Sequence, residues 1–341
     1  MKALVYEGPR QMNLREVPEP EAGPDNVIIK VAYSGICGSE LGGYLGHNAL
    51  RKPPLVMGHE FSGEIVALGS QATQHNPAVA VSQRVTVNPL WYCNRCRFCL
   101  TGQHNLCELR QLLGAHQPGS YAELVKVHAR LVYPIPDSLS LEHAALTEPL
   151  ACAMRAVQLA TITPFDSILI IGLGPIGLMI LQVIQAFGAT EIFAADTNSD
   201  RRAMAENFNV QVFNPLVEDV VELIQAKTQG KGVAVAIDAV GMTITRQQCL
   251  QATSAGGKVV FIGLHEEESA IPVNLAIRKE INLQSSFAYT PCNFEAALNW
   301  LVAGRLHLDP WLVKAPLTKG QDNFERLLGT PGPVAKILLY P

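Results

Sequence analysis

Four of the eight cysteines, Cys93, Cys96, Cys99 and Cys107, fall within fifteen residues. The spacing Cys93-x2-Cys96-x2-Cys99-x7-Cys107 puts four thiolates on one looping segment. That is the donor set of a closed tetrahedral zinc site, which contributes folding energy rather than chemistry. An iron–sulfur cluster is the rival reading. Bacterial ferredoxin runs place the fourth cysteine three residues on, with proline after it; here the last gap is seven residues and Glu108 follows. The N-terminal MKALVYEG lacks the apolar stretch of a secretory leader, which argues against an extracellular disulfide framework and leads us to expect a cytoplasmic protein.

A second motif points to a nucleotide. Gly172-Leu173-Gly174-Pro175-Ile176-Gly177 has the form G-x-G-x-x-G. It follows the apolar run SILIIGLG and opens the helix-like PIGLMILQVIQAFGA. A further strand, EIFAADT, reaches Asp196, 24 residues after Gly172. In that setting Gly172 permits the tight turn, Gly174 lets backbone approach a pyrophosphate, and Gly177 lets helix pack on strand. The helix N-terminus that Pro175 opens offers unpaired N–H groups, that of Ile176 among them, to the phosphates. Asp196 would accept hydrogen bonds from the adenosine ribose and repel a 2′-phosphate, favouring NAD over NADP. Arg201 and Arg202 stand close by, and an arginine can pair with such a phosphate.

A third set is dispersed. Cys37 lies in ICGSE, His59 and Glu60 in MGHEFSG, and Glu148 in TEPLACA. All are zinc-ligand types, and a catalytic zinc takes about three protein ligands and keeps an open position. Spacing alone does not unite them. Taken singly, Cys37 reads as a small buried apolar residue and Glu148 as a helix-start carboxylate.

The elements that must position these groups change character along the chain. Residues 1–150 read as short strands between Gly and Pro turns, an all-β region with loops. Beyond Thr147, strands alternate with helices of 10–15 residues, the pattern of a parallel sheet. The last fifty residues show one helix, FEAALNWLVAGRL, and a terminal strand, AKILLYP. We therefore expect an α/β protein: a Rossmann doubly wound parallel sheet over 153–288, and a mostly-β domain over 1–152 completed by 289–341. At 341 residues, two domains are the prior. Charged residues are 16% of the chain, and 48% is apolar, which excludes disorder. The net charge of −4 comes without a basic block, so no nucleic-acid partner is expected. The uncharged window Ser167–Thr190 is about long enough to span a bilayer, but Pro175 and its glycines punctuate it as strand, turn and helix; no membrane partner is expected.

Taken together, ICGSE, GHEFSG, the four-cysteine loop, GSYAELVKV, EPLACA, GLGPIG and AKILLYP resemble the zinc-dependent medium-chain dehydrogenase/reductase family. The match runs nearly the length of the chain, in the family's order, on the polyol dehydrogenase branch. The resemblance implies an NAD-dependent oxidoreductase that converts a secondary alcohol of a polyol, sugar alcohol or sugar-alcohol phosphate to the ketone. It implies that the mostly-β domain over 1–152 and 289–341 is a GroES-like catalytic domain, with one catalytic and one structural zinc per chain, and a homodimer or homotetramer. Cys37 and His59 then become catalytic zinc ligands, with Glu60 or Glu148 as the third. Ser39 becomes the hydroxyl that passes the substrate proton outward. Tyr44 and Tyr289 are candidate pocket residues.

The sequence also departs from the family. A relay histidine is usual just after ICGS; Gly42 occupies that place, and His47 is a nearby substitute. Ala288-Tyr289 replaces an Arg-Tyr pair of sorbitol dehydrogenases, which counts against sorbitol itself. The usual GDRV turn reads Ser82-Gln83-Arg84-Val85. An L-threonine 3-dehydrogenase is the alternative function, followed by a non-zinc reductase of the same fold and a non-catalytic zinc- and NAD-binding protein.

Overall fold

The computed structural model describes all 341 residues and divides into two units, Met1–Glu148 with Thr290–Pro341, and Pro149–Tyr289.

The first unit is built on a seven-stranded sheet. Its order is Val132–Pro134, Arg84–Val87, Glu60–Leu68, Asn26–Gly35, Lys336–Tyr340, Leu312–Pro316, with Leu124–His128 also paired to Asn26–Gly35. All neighbours are antiparallel except the last two strands. The β-branched residues that mark these strands make the core: Val27, Ile29, Val31, Ile65, Val85, Val87, Val125 and Val127 are buried together with Phe61. A second cluster joins Tyr6, Tyr44, Met57, Tyr121, Phe324 and Ile337. The terminal strand enters the sheet beside Ser34 and Gly35, which face Leu339 and Leu338. Gly35 in turn faces Glu60 across the other neighbour. That register brings the C-terminus of the chain to the GHE segment.

The tail holds more structure than the one helix and one strand expected from sequence. Helix Pro291–Val302 and strand Lys336–Tyr340 are joined by strand Leu312–Pro316 and a second helix, Gly320–Leu328. That helix is only nine residues long, begins at glycine and has no side-chain cap to mark its start. The first 150 residues also carry short helices, notably Gly38–Tyr44, where the sequence reads as a glycine-rich bend. Three of those seven residues are glycine, so propensity opposes the helix and tertiary packing must fix it.

The second unit is a six-stranded, all-parallel sheet. Its order is Gln211–Phe213, Glu191–Ala195, Ser167–Ile171, Val233–Asp238, Thr253–Phe261, Asn282–Ser285. The order reverses on either side of Ser167–Ile171, the first strand of this unit, and ligands bind at such a switch point. The uncharged window resolves into strand Ser167–Ile171 and helix Pro175–Ala186. Leu178, Met179, Ile180, Leu181, Val183 and Ile184 of that helix are all buried, so it is apolar around most of its circumference because protein covers it. Each such side chain contributes about 1.5–3 kcal/mol of burial. No helix is long and apolar enough to cross a membrane.

Candidate active site

The four-cysteine loop is tied at its base by a two-stranded ladder, Leu90–Trp91 against Gln111–Leu112. Between those strands come the one-turn helix Arg97–Leu100 and the turn His104–Leu106. They fold the four sulfurs into one cluster. Cys96 Sγ lies 3.6 Å and Cys93 Sγ 4.0 Å from Cys99 Sγ. A disulfide requires about 2.05 Å, whereas zinc with tetrahedral bonds of ~2.3 Å spaces its sulfurs about 3.8 Å apart. The donors therefore fit zinc. Backbone N–H groups already point at sulfur: Cys93 N–H donates to Cys107 Sγ at 3.3 Å and Cys96 N–H to Cys93 Sγ at 3.4 Å. Amides of Cys99 and Glu108 hold the Cys96 thiol down at about 6, favouring the thiolate that binds metal.

The second cluster joins segments remote in sequence. The donor atoms of Cys37, His59 and Glu60 lie within 4.8 Å of one another. Cys37 sits at the end of the strand Asn26–Gly35 region, just before helix Gly38–Tyr44; Glu60 opens strand Glu60–Leu68. His59 is 3% and Glu60 1% exposed. A thiolate, an imidazole and a carboxylate on one small patch are the donor types of a catalytic zinc.

Glu40 organises this site, and the sequence reading passed over it. The residue is fully buried. Its Oε1 accepts Gly58 N–H at 2.8 Å and faces His59 Nδ1 at 2.9 Å. Its Oε2 accepts Cys37 N–H at 3.1 Å and the Tyr121 hydroxyl, which also lies 3.0 Å from Gly35 O. Burial alone would push this carboxyl up. The facing His59, with Arg51 and Tyr121, reverses the effect and holds it at about 2. Against burial, the same contact pushes the His59 imidazole up and keeps its proton on Nδ1; a bound zinc would displace the other proton and take Nε2 as its donor. The available signal was an acidic residue three positions after Cys37.

Lys336 was also missed. Its Nζ lies 2.8 and 2.6 Å from the two oxygens of Glu60 and donates to Ile36 O at 3.0 Å. Burial would depress its ammonium, but the Glu60 carboxylate, with Cys37 and Glu148, outweighs burial and keeps it charged. Glu148, 8% exposed, stands in the first turn of helix Thr147–Ala160. Ser39 is exposed, with its hydroxyl 3.3 Å from Cys37 Sγ.

In the parallel-sheet unit, Gly172 has φ +97°, a left-handed conformation that favours glycine. A Cβ on Gly177 would lie 1.8 Å from Gly172 O, so only glycine lets the helix close on the turn. Gly174 caps the helix and Pro175 begins it. Asp196 is 7% exposed; its Oδ2 accepts Leu173 N–H at 2.7 Å and its Oδ1 accepts Asn198 N–H at 2.8 Å. Arg201 Nη1 lies 3.8 Å from that carboxylate and would be 3.9 Å from a Cβ on Gly174. The turn thus presents bare backbone, a helix N-terminus and one cation together, which fits a dinucleotide.

Tyr44 is a correction. It is fully buried, packs on Phe324 at 5.2 Å between ring centroids, and donates its hydroxyl to Glu325 at 2.7 Å. It is a core residue, not part of a substrate pocket. Tyr289, in the other unit, is 1% exposed. His47 is exposed, and its ring makes no hydrogen bond to Ser39.

The chain matches the families described as alcohol dehydrogenase GroES-like domain, over residues 23–137, and zinc-binding dehydrogenase, over 175–303. It belongs to the zinc-dependent alcohol dehydrogenase family. It is 33% identical to D-arabitol-phosphate dehydrogenase of Enterococcus avium over 336 residues, covering 96% of this chain and 94% of the relative. It is 33% identical to sorbitol dehydrogenase of Bacillus subtilis, covering 100% and 97%. Among solved structures, 2R,3R-butanediol dehydrogenase from Bacillus subtilis superposes with a TM-score of 0.90 at 31% identity, covering 100% and 99%. The fold expected from the motifs is the fold found: a GroES-like unit and a Rossmann unit. The protein is an oxidoreductase.

Proposed function

We propose that this enzyme oxidises a secondary alcohol of a polyol, sugar alcohol or sugar-alcohol phosphate to the ketone, with NAD as hydride acceptor. The observation that carries the reading is the Cys37–His59–Glu60 cluster with its buried Glu40 support. It stands in a chain whose relatives of similar length include dehydrogenases of such alcohols.

On this reading Cys37, His59 and Glu60 hold the catalytic zinc, and Glu148 is the second carboxylate of that site. Cys93, Cys96, Cys99 and Cys107 hold the structural one. The catalytic zinc supplies a Lewis acid toward the alcohol oxygen, and NAD supplies the redox chemistry. The chain's own residues do the rest. Glu40 fixes the tautomer and direction of His59. Ser39 Oγ receives the hydroxyl proton. Lys336 balances charge: one thiolate and two carboxylates would outweigh a divalent ion, and its buried ammonium restores neutrality. Asp196 takes the ribose hydroxyls, Gly172, Gly174 and Gly177 admit the pyrophosphate, and Arg201 faces it.

The test is NADH formation by the purified protein across sorbitol, D-arabitol, 2,3-butanediol, their phosphates where they exist, and L-threonine. Turnover of a polyol or its phosphate supports the reading. Turnover of L-threonine alone overturns it in favour of the amino-acid alternative. The same assay with NADP tests Asp196: a higher kcat/KM with NADP would shift cofactor recognition to Arg201.

A further inference from the structure

Position 42, where a relay histidine is expected, is empty of any substitute. Nothing lies within 4 Å of a Cβ placed on Gly42. The side chain that reaches Ser39 is Arg51, whose Nη2 donates to Ser39 Oγ at 3.1 Å. Its path is made by the next glycine: a Cβ on Gly43 would lie 2.4 Å from Arg51 Cδ and 3.3 Å from its Cβ and Cγ. The glycine-rich helix Gly38–Tyr44 is therefore shaped around the arginine stem. The backbone of Arg51 is anchored by its N–H on Asn48 O at 3.1 Å, in a turn that Asn48 Oδ1 also ties through Leu50 N–H.

The environment of Arg51 is not that of a structural arginine. The residue is 4% exposed, its bond to Ser39 is its one side-chain hydrogen bond, and its Nε is buried without a partner. No carboxylate lies within ion-pair distance; Glu40 feels its charge from further off. Burying a guanidinium so poorly paired is costly. A cation kept there for stability alone would be expected to have its carboxylate.

Resting on the functional reading above, we infer that Arg51 is the positioning residue for proton removal. It occupies one lone pair of Ser39 Oγ, so the other is the one left to accept from the substrate hydroxyl. A guanidinium cannot be deprotonated in this range, so Arg51 takes no proton itself. The substrate O–H proton passes to Ser39 Oγ while the proton of Ser39, donated in this structure to Cys37 Sγ at 3.3 Å, turns outward and leaves to water at the residue's exposed position. The carbinol hydrogen departs with its electron pair to the nicotinamide, and the carbonyl forms. The relay in this protein is thus one side chain long and uses no imidazole.

The experiment is a double-mutant cycle with Arg51→Met, Ser39→Ala and the pair, read as kcat, KM, zinc content and solvent isotope effect in the full-length enzyme. Arg51→Met should lower kcat about tenfold or more, raise the solvent isotope effect on kcat, and leave KM for NAD and two zinc ions per chain unchanged. In the Ser39→Ala background it should cost nothing further, because the two act as one unit. Arg51→Lys, which keeps a donor and the charge, should recover part of the loss and stands in if the methionine variant does not fold. A wild-type kcat in Arg51→Met, or an equal loss with and without Ser39, overturns the inference. Turnover by the wild type reports separately on the functional reading, so failure of one is distinguishable from failure of the other.

Discussion

The two cysteine-containing clusters are built in opposite ways. The four-sulfur loop draws every donor from fifteen consecutive residues and closes on itself. The Cys37–His59–Glu60 cluster gathers its donors from separate segments and relies on residues still further off. Tyr121 reaches Glu40 across 81 residues and Lys336 reaches Glu60 across 276. The first is a site that makes local structure; the second is a site that finished structure makes. A local site should fail by unfolding its own loop. A distributed site should fail in chemistry while the chain stays folded.

That contrast is sharpest at His59. His59→Ala removes one imidazole donor from the distributed site. Alcohol oxidation should fall below detection, one zinc should be lost and one retained, and far-UV circular dichroism should stay as in the wild type. Loss of both zinc ions would break the distinction between the sites.

Glu40→Gln probes the support rather than the ligand. The amide has one acceptor oxygen and no charge, so it cannot serve His59 and Gly58 on one side and Cys37 and Tyr121 on the other, and the hold on His59 weakens. Zinc affinity or kcat should fall roughly 10- to 100-fold, the usual cost of removing such a partner. Metal titration against a chelator of known affinity, together with kcat, reads this directly; unchanged values would reduce Glu40 to a packing role.

Lys336→Met leaves Glu60 buried without its cation. Removing one member of a buried pair costs about 3–5 kcal/mol, which lowers Tm by on the order of 10 °C in a unit of this size. Differential scanning calorimetry measures it. A double variant, Lys336→Met with Glu60→Gln, should regain much of that stability, because no buried charge is then stranded.

The smallest effect is expected at Tyr44. Tyr44→Phe removes the hydroxyl that meets Glu325 and leaves the ring on Phe324, for about 1–2 kcal/mol. The kcat/KM for the alcohol should not change. A loss of kcat/KM with wild-type stability would return Tyr44 to the substrate pocket.

The same contrast governs how much could be read in the chain. The cysteine loop and the Gly172–Gly177 turn declare themselves because their geometry is encoded over a few neighbouring residues. The alternation of strands and helices after Thr147 likewise shows the parallel sheet. Cys37, His59, Glu60 and Glu148 were joined only through resemblance, since nothing in their spacing requires them to meet. Glu40, Tyr121, Lys336 and Arg51 escaped because each acquires its role from tertiary contacts that no local spacing encodes. Lys336 reads as an ordinary strand-end lysine until Leu338 pairs with Gly35 and Gly35 with Glu60. Tyr44 misled for the converse reason: its place beside the zinc motif in sequence conceals that helix Gly38–Tyr44 turns it into the core.

The most direct test of two unlike sites is timed chelation of the purified enzyme, following zinc released, activity and circular dichroism in one sample. The account predicts two zinc ions per chain. The first to leave takes all activity with it while secondary structure is retained, and added zinc restores turnover. The second leaves only as the protein unfolds. Full activity in protein stripped to a single zinc, or release of both ions together with loss of structure, would contradict it.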